Sequence, residues 1–167
     1  NNALAYFREM EETISEIANV LGIEKGLVQK GVEKLVDSNK ALQKEVKELT
    51  SRLSSIQASA ITPVKEKEGT KIFVIDSGKN RTDALSLTDS LKSKYDNAFI
   101  VIKGTDSGKD ILITASTGSA KEKFHAGNIL KSLLENFGGR GGGKPDMAQG
   151  GAGNIDFEKL KNLVEKL

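Results

Sequence analysis

Five residues stand where chemistry with an anion could be done. Lys121, Lys123 and His125 lie close together, and Arg140 and Lys144 sit inside a run of glycine. That run, 138–153, reads GGRGGGKPDMAQGGAG and holds eight of the chain's seventeen glycines. Glycine has no Cβ, so backbone N–H groups there can approach a bulky anion while Arg140 and Lys144 add charge. A flexible linker is the other reading of a glycine run. A linker, however, has no use for the apolar Met147, the φ-locked Pro145 or spaced cations. The expectation is a folded, anion-facing loop with Gly141, Gly142 and Gly143 at its centre.

Other chemistries fit less well. Gly138-x4-Gly143-Lys144 matches the opening of a P-loop, but Pro145 stands where a Ser or Thr hydroxyl must reach Mg²⁺, and the segment follows a helical pattern instead of a strand. Cysteine is absent and histidine occurs once, which removes disulfide scaffolds, Cys-based zinc sites and the clustered ligands that metal-assisted hydrolysis needs. No pair of carboxylates is singled out for acid–base work. The expectation is no catalytic residue, no metal site and no cofactor in this chain.

Net charge is only +2, too small to demand a nucleic-acid partner. The first 62 residues carry 8 basic and 9 acidic groups and the remainder 17 and 14, so the positive excess lies in the C-terminal half. With six Phe and two Tyr, mostly in core patterns, the chain lacks a stacking platform for single-stranded readout, and recognition by shape fits better. The opening Asn-Asn-Ala-Leu has no initiator Met and no charged leader, so the sequence reads as a piece of a longer protein.

The elements that must position these residues follow from periodicity. Phe7, Met10, Ile14, Ile17 and Leu21 form one stripe of a helix from Leu4 that Gly22 is placed to end. Val28, Val32, Leu35, Asn39, Leu42, Val46, Leu49, Leu53 and Ile56 then alternate by four and three, the heptad signature of a coiled-coil seam. Val32, Asn39, Val46 and Leu53 fall at a; Val28, Leu35, Leu42, Leu49 and Ile56 fall at d. The second helix should run roughly 45–50 Å and the first roughly 25–30 Å. A hairpin of the two leaves the seam unpaired from Leu42 onward, and a second copy of the chain is its simplest partner. Asn39 buried at a would fix register and favour two strands; a solvent-facing Asn is the other reading. Valine at a and leucine at d prefer a parallel pair, and the sparse charges at e and g (Gln43, Glu45, Thr50, Arg52) do not settle direction.

Pro63 and the Lys-Glu run after it mark a boundary, with a linker or edge strand over 58–70. Lys71–Asp76 and Ala98–Lys103 read as buried strands around a helix over 81–95, and such a unit pairs its strands in parallel. Gly104 and Gly108 read as a hairpin turn into an antiparallel strand, Ile111–Ala115. DSGK occurs twice, at Asp76–Lys79 and Asp106–Lys109, and both copies read as turns. A helix from Phe124 to Phe137, the glycine loop and a closing helix entered at Asp156 complete the chain. The fold class is α+β: a helix-loop-helix or coiled-coil subdomain over 1–57, then a small mixed-sheet subdomain over 71–167.

The string GGRGGGKPDMAQGG, following a heptad helix and a small α+β body, resembles the signature at the C-terminal end of alanyl-tRNA synthetases, of archaeal type. This is the DHH-associated domain that also ends some phosphoesterases. The resemblance covers essentially the whole chain. It implies a helix-loop-helix zipper that dimerises, with Val32, Leu35, Asn39, Leu42, Val46, Leu49, Leu53 and Ile56 at the interface. It also implies a body that holds the outer corner of tRNA, through Lys121, Lys123, His125, Arg140, Lys144 and the three glycines 141–143. Four cations on phosphates would give a salt slope of roughly −3. His125 reads more simply as a partly exposed helix-start residue, with a tRNA contact by stacking or hydrogen bonding as the other reading. ATP, magnesium and zinc are implied only for the parent alanine–tRNA ligase, whose setting is cytoplasmic, with no membrane contact. The phosphoesterase lineage is the alternative, a nucleotide-binding C-terminal domain. It has a histidine after the three glycines where this chain has Lys144-Pro145.

Overall fold

The computed structural model describes residues 2–167, and the chain divides into two compact units, Asn1–Glu48 and Leu49–Leu167. In the first, α1 (Asn2–Leu21) stops at Gly22, whose φ of +64° only glycine adopts cheaply. Gly22 N–H donates to Asn19 O at 3.1 Å and Ile23 N–H to Ala18 O at 3.0 Å, the paired bonds of a Schellman cap. A 3₁₀ turn, Lys25–Leu27, then leads into α2 (Val28–Ala60). Gly31 is a notch there for Ile23, since a Cβ at that position would stand 2.3 Å from Ile23 Cδ1.

The expected hairpin does not close. α1 packs on the turn that follows it instead of along α2, and only Ala18 of α1 is buried. Phe7 is 66 % exposed and Ile17 39 %. The Gly22 cap and the 3₁₀ turn fix where the chain leaves α1, so the two apolar stripes do not meet. The unpartnered seam therefore begins at Val32, not at Leu42.

The second unit is a six-stranded mixed sheet of order β1-β2-β3-β4-β6-β5. β1 (Lys65–Lys67) pairs antiparallel with β2 (Thr70–Asp76) across Glu68 and Gly69, both at positive φ as a two-residue hairpin turn requires. α3 (Arg81–Lys94), capped by the Asn80 side chain accepting from Asp83 N–H, carries the chain over to β3 (Ala98–Asp106), parallel to β2 as the apolar runs predict. β4 (Lys109–Ser116) returns antiparallel through Ser107-Gly108. Gly104 lies inside β3 instead of in that turn, because a Cβ on it would come within 2.5 Å of Lys79 O.

α4 (Ala120–Lys123) and α5 (Ala126–Glu135) follow, then β5 (Arg140–Gly143), β6 (Met147–Ala152) and α6 (Phe157–Glu165). The single helix expected over 124–137 is thus shorter and preceded by a separate turn of helix. Alternation sorts the strand residues onto two faces. Ile72, Val74, Phe99, Val101 and Leu112 pack with Leu130 and Leu134 of α5 and Leu160 and Val164 of α6. Phe73, Ile100, Ile102 and Ile113 pack with Leu87 and Leu91 of α3 and Ala58 at the end of α2. Burial on both faces explains the unbroken apolar runs of β2 and β3. Lys94 Nζ donates to Ala58 O at 3.1 Å, satisfying a carbonyl in the last turn of α2.

Candidate nucleic-acid interface

The glycine segment is not a loop. It is a β-hairpin at the edge of the sheet, β5 and β6 joined by Lys144-Pro145-Asp146, with Arg140 opposite Gly151 and Gly143 opposite Ala148. Sterics explain the correction. A Cβ on Gly141 would stand 2.6 Å from Gly150 Cα and 2.8 Å from Leu134 Cδ1; one on Gly150 would stand 2.5 Å from Leu134 Cδ1. Gly127 of α5 likewise faces the Gly143 carbonyl, 2.6 Å from where its Cβ would be. The helix lies directly on the hairpin backbone, and glycine is what leaves it room.

That contact also occupies the backbone donors around the hairpin turn. At the start of α5, Ala126 N–H donates to Pro145 O at 3.0 Å and Gly127 N–H to Lys144 O at 3.2 Å. Lys144 N–H donates to Met147 O at 2.8 Å. His125 is the N-cap of α5: its Nδ1 accepts from Asn128 N–H at 3.2 Å, which places the ring proton of the neutral imidazole on Nε2. A capping role needs no ligand.

The expected cations are divided between two ends of the hairpin. Lys144 lies in its turn, beside the start of α5. Lys121 and Lys123 belong to α4, and Lys123 Nζ is ion-paired with Glu68 in the β1–β2 turn. The hydrogen bond from Lys123, and then its charge, hold the Glu68 carboxyl below its ordinary value of 4.5. Arg140 is at the opposite end, on a cleft of about 580 Å³ that it shares with Arg81 and Lys109. Neither of those two is singled out by the sequence, although Lys109 closes the second DSGK. The repeat was the available signal.

The seam expected at a dimer interface is open along its length. Val32 is 42 % exposed, Leu35 59 %, Leu42 60 %, Val46 61 %, Leu49 56 %, Leu53 51 % and Ile56 69 %. Asn39 is exposed too, its Oδ1 accepting from Gln43 Nε2 at 2.8 Å on the same helix. Among the described residues no helix is long and apolar enough to cross a membrane, and no three His, Asp or Glu side chains are grouped to hold a metal ion.

A family model described as the DHHA1 domain matches residues 69–167. An alanine–tRNA ligase of Leptothrix cholodnii is 34 % identical over 162 residues, 96 % of this chain and 18 % of that protein. One of Burkholderia lata is 33 % identical over 154 residues, 90 % of this chain and 18 % of its own length. The chain thus spans less than a fifth of the curated relatives it matches. Among solved structures, the C-Ala domain of Aquifex aeolicus alanyl-tRNA synthetase is 20 % identical, with a TM-score of 0.47 over 57 % of this chain and 89 % of that one.

Proposed function

The chain belongs to the DHHA1 domain family, and from that membership we propose that it is the C-terminal, dimerising and tRNA-binding part of an alanine–tRNA ligase. The relatives named as such ligases match through both the rod and the body, not through the body alone. Aminoacylation, with its ATP, magnesium and zinc, belongs to the remainder of the parent protein. This part contributes assembly and a grip on the substrate RNA.

One observation carries the assembly half of the reading: a heptad seam on α2, from Val32 to Ile56 and apolar except at Asn39, whose large apolar side chains are exposed among the described residues. Each of these leucines is about half exposed and so forgoes roughly half of the 1.5–3 kcal/mol that full burial brings, and a row of them is a drive to associate. A second copy offers the same row, and two rows interlock as knobs into holes. The RNA half rests on the relatives' activity and on the basic excess of the body.

Sedimentation of the 167-residue chain with and without tRNA tests both halves. A dimer that takes up tRNA is expected. A dimer indifferent to tRNA but tight for mononucleotides would replace this reading with that of a phosphoesterase-type nucleotide module.

A further inference from the structure

The two DSGK turns lie side by side at the edge of the sheet where the parallel strands β2 and β3 end. Thr105 N–H donates to Lys79 O at 2.9 Å, and Ser77 N–H donates to Lys103 O at 2.9 Å. α3 also starts at this edge, with Arg81 directly after its cap. The start of β4 and the far end of the glycine hairpin complete the rim. Arg81, Lys109 and Arg140 converge on the cleft there, and Gly138, Gly139, Gly151 and Gly153 form a wall without side chains. The carboxyl edge of parallel strands is where open α/β sheets receive ligands.

Two carboxylates share the cleft, and both are engaged. Buried Asp110 accepts from Ile155 N–H at 2.7 Å and Thr105 Oγ1 at 3.2 Å, and lies 3.6 Å from Lys103 Nζ. Asp106 accepts from Arg81 Nε at 3.3 Å, while Arg81 Nη1 donates to Gln149 Oε1 at 3.0 Å. Lys109 and Arg140 are exposed and, among the described residues, form no ion pair.

Gly153 offers a probe of the cleft. Gly138 needs its positive φ of +64°, and Cβ atoms on Gly139 and Gly151 would stand 2.6 and 2.9 Å from backbone oxygens. Gly153 has no positive φ, and a Cβ on it would meet nothing within 4 Å. A side chain at this cleft-lining position would therefore meet open space, so its size can be varied without disturbing the packing. At the other end of the hairpin, Lys121, Lys123 and Lys144 are interleaved in sequence or paired with Glu122, Glu68 and Asp146, and the nearby N–H groups are spent.

We propose that the cleft of Arg81, Lys109 and Arg140, and not the end formed by α4 and the hairpin turn, receives the phosphodiester backbone of the RNA; this rests on the tRNA reading above. Lys109 and Arg140 neutralise phosphates. Arg81, held by Asp106 and Gln149, presents its remaining guanidinium donors. The glycine wall lets the sugar-phosphate chain come close, so shape is read and sequence is not.

The test is tRNA affinity against salt for the 167-residue chain and three variants. In Lys109→Ala/Arg140→Ala the salt slope is expected to become shallower by about 1.5, with affinity about tenfold weaker at low salt. Gly153→Gln should weaken tRNA binding while leaving the melting temperature in place, and Lys121→Ala/Lys144→Ala should leave the slope unchanged. The reverse pattern, with the slope lost in the lysine pair and kept in the cleft variants, would overturn the cleft and leave the tRNA reading standing. So would tight AMP binding that the cleft variants abolish without touching tRNA affinity. A wild-type chain that ignores tRNA removes both.

Discussion

Leu134 decides what the glycines of the hairpin are for. Its Cδ1 stands 2.8 Å from where a Cβ on Gly141 would be, and Gly150 Cα is closer still, so a methyl group there must displace helix or strand. Gly141→Ala is therefore expected to cost about 1–3 kcal/mol in chemical denaturation, the usual range for overpacking. Gly153→Ala, with nothing near its Cβ, should fall within about 0.5 kcal/mol of wild type. The pair separates two uses of one residue type that look identical in sequence, which is why the run reads as an anion loop before the structure is known. Of the cleft's cations, Arg140 stood out in the sequence because it interrupts glycine. Arg81 and Lys109 did not, because their convergence depends on three loops distant in the chain.

A second residue-scale outcome concerns Glu68. Its carboxyl is held below 4.5 by Lys123, so the pair's stabilisation is fully present above that value and is lost as pH falls through the lowered one. Melting temperatures of wild type and Glu68→Gln should differ at neutral pH, with wild type higher, and converge in acid. The gap should also narrow with added salt, as for any exposed ion pair.

At the scale of elements, α2 is both rod and anchor. Its seam is open, while Ser54 and Ala58 on another face of its last turns are buried. Leu49 is 56 % exposed in a single chain, so Leu49→Lys should leave the body folded. It would place a charge in a desolvated d layer of any pair, and a monomer by sedimentation is the expected result. An unchanged dimer would take the seam out of the interface. Asn39→Val is expected to do the opposite, raising the melting temperature while admitting other oligomers, because a lone polar a residue trades stability for register. The heptad and the two apolar runs, KIFVID and AFIVIK, were legible because periodicity and burial leave direct marks on residue type. The hairpin of β5 and β6 was hidden, since strands without side chains show no alternation. That α1 packs on the turn after it instead of along α2 was hidden as well, because a cap and one 3₁₀ turn decide it.

For the molecule as a whole, the proposed function puts its two tasks on different surfaces. Association would use the apolar row on α2, and the grip on RNA would use cations at the carboxyl edge of the sheet. Salt should therefore weaken tRNA binding steeply while leaving association intact or slightly firmer, since burial of apolar area does not depend on screening. The strand order is a further property that patterning could not supply: β6 returns between β4 and β5, and in that arrangement Arg140 and Lys109 line one cleft.

Sedimentation equilibrium of the purified chain, alone and with tRNA, bears on the central claim most directly. The expected result is a species of twice the 17.9 kDa of one chain that gains the mass of tRNA in dilute salt and loses it as salt is raised. A species of one chain's mass at high concentration, unaltered by tRNA, would contradict it.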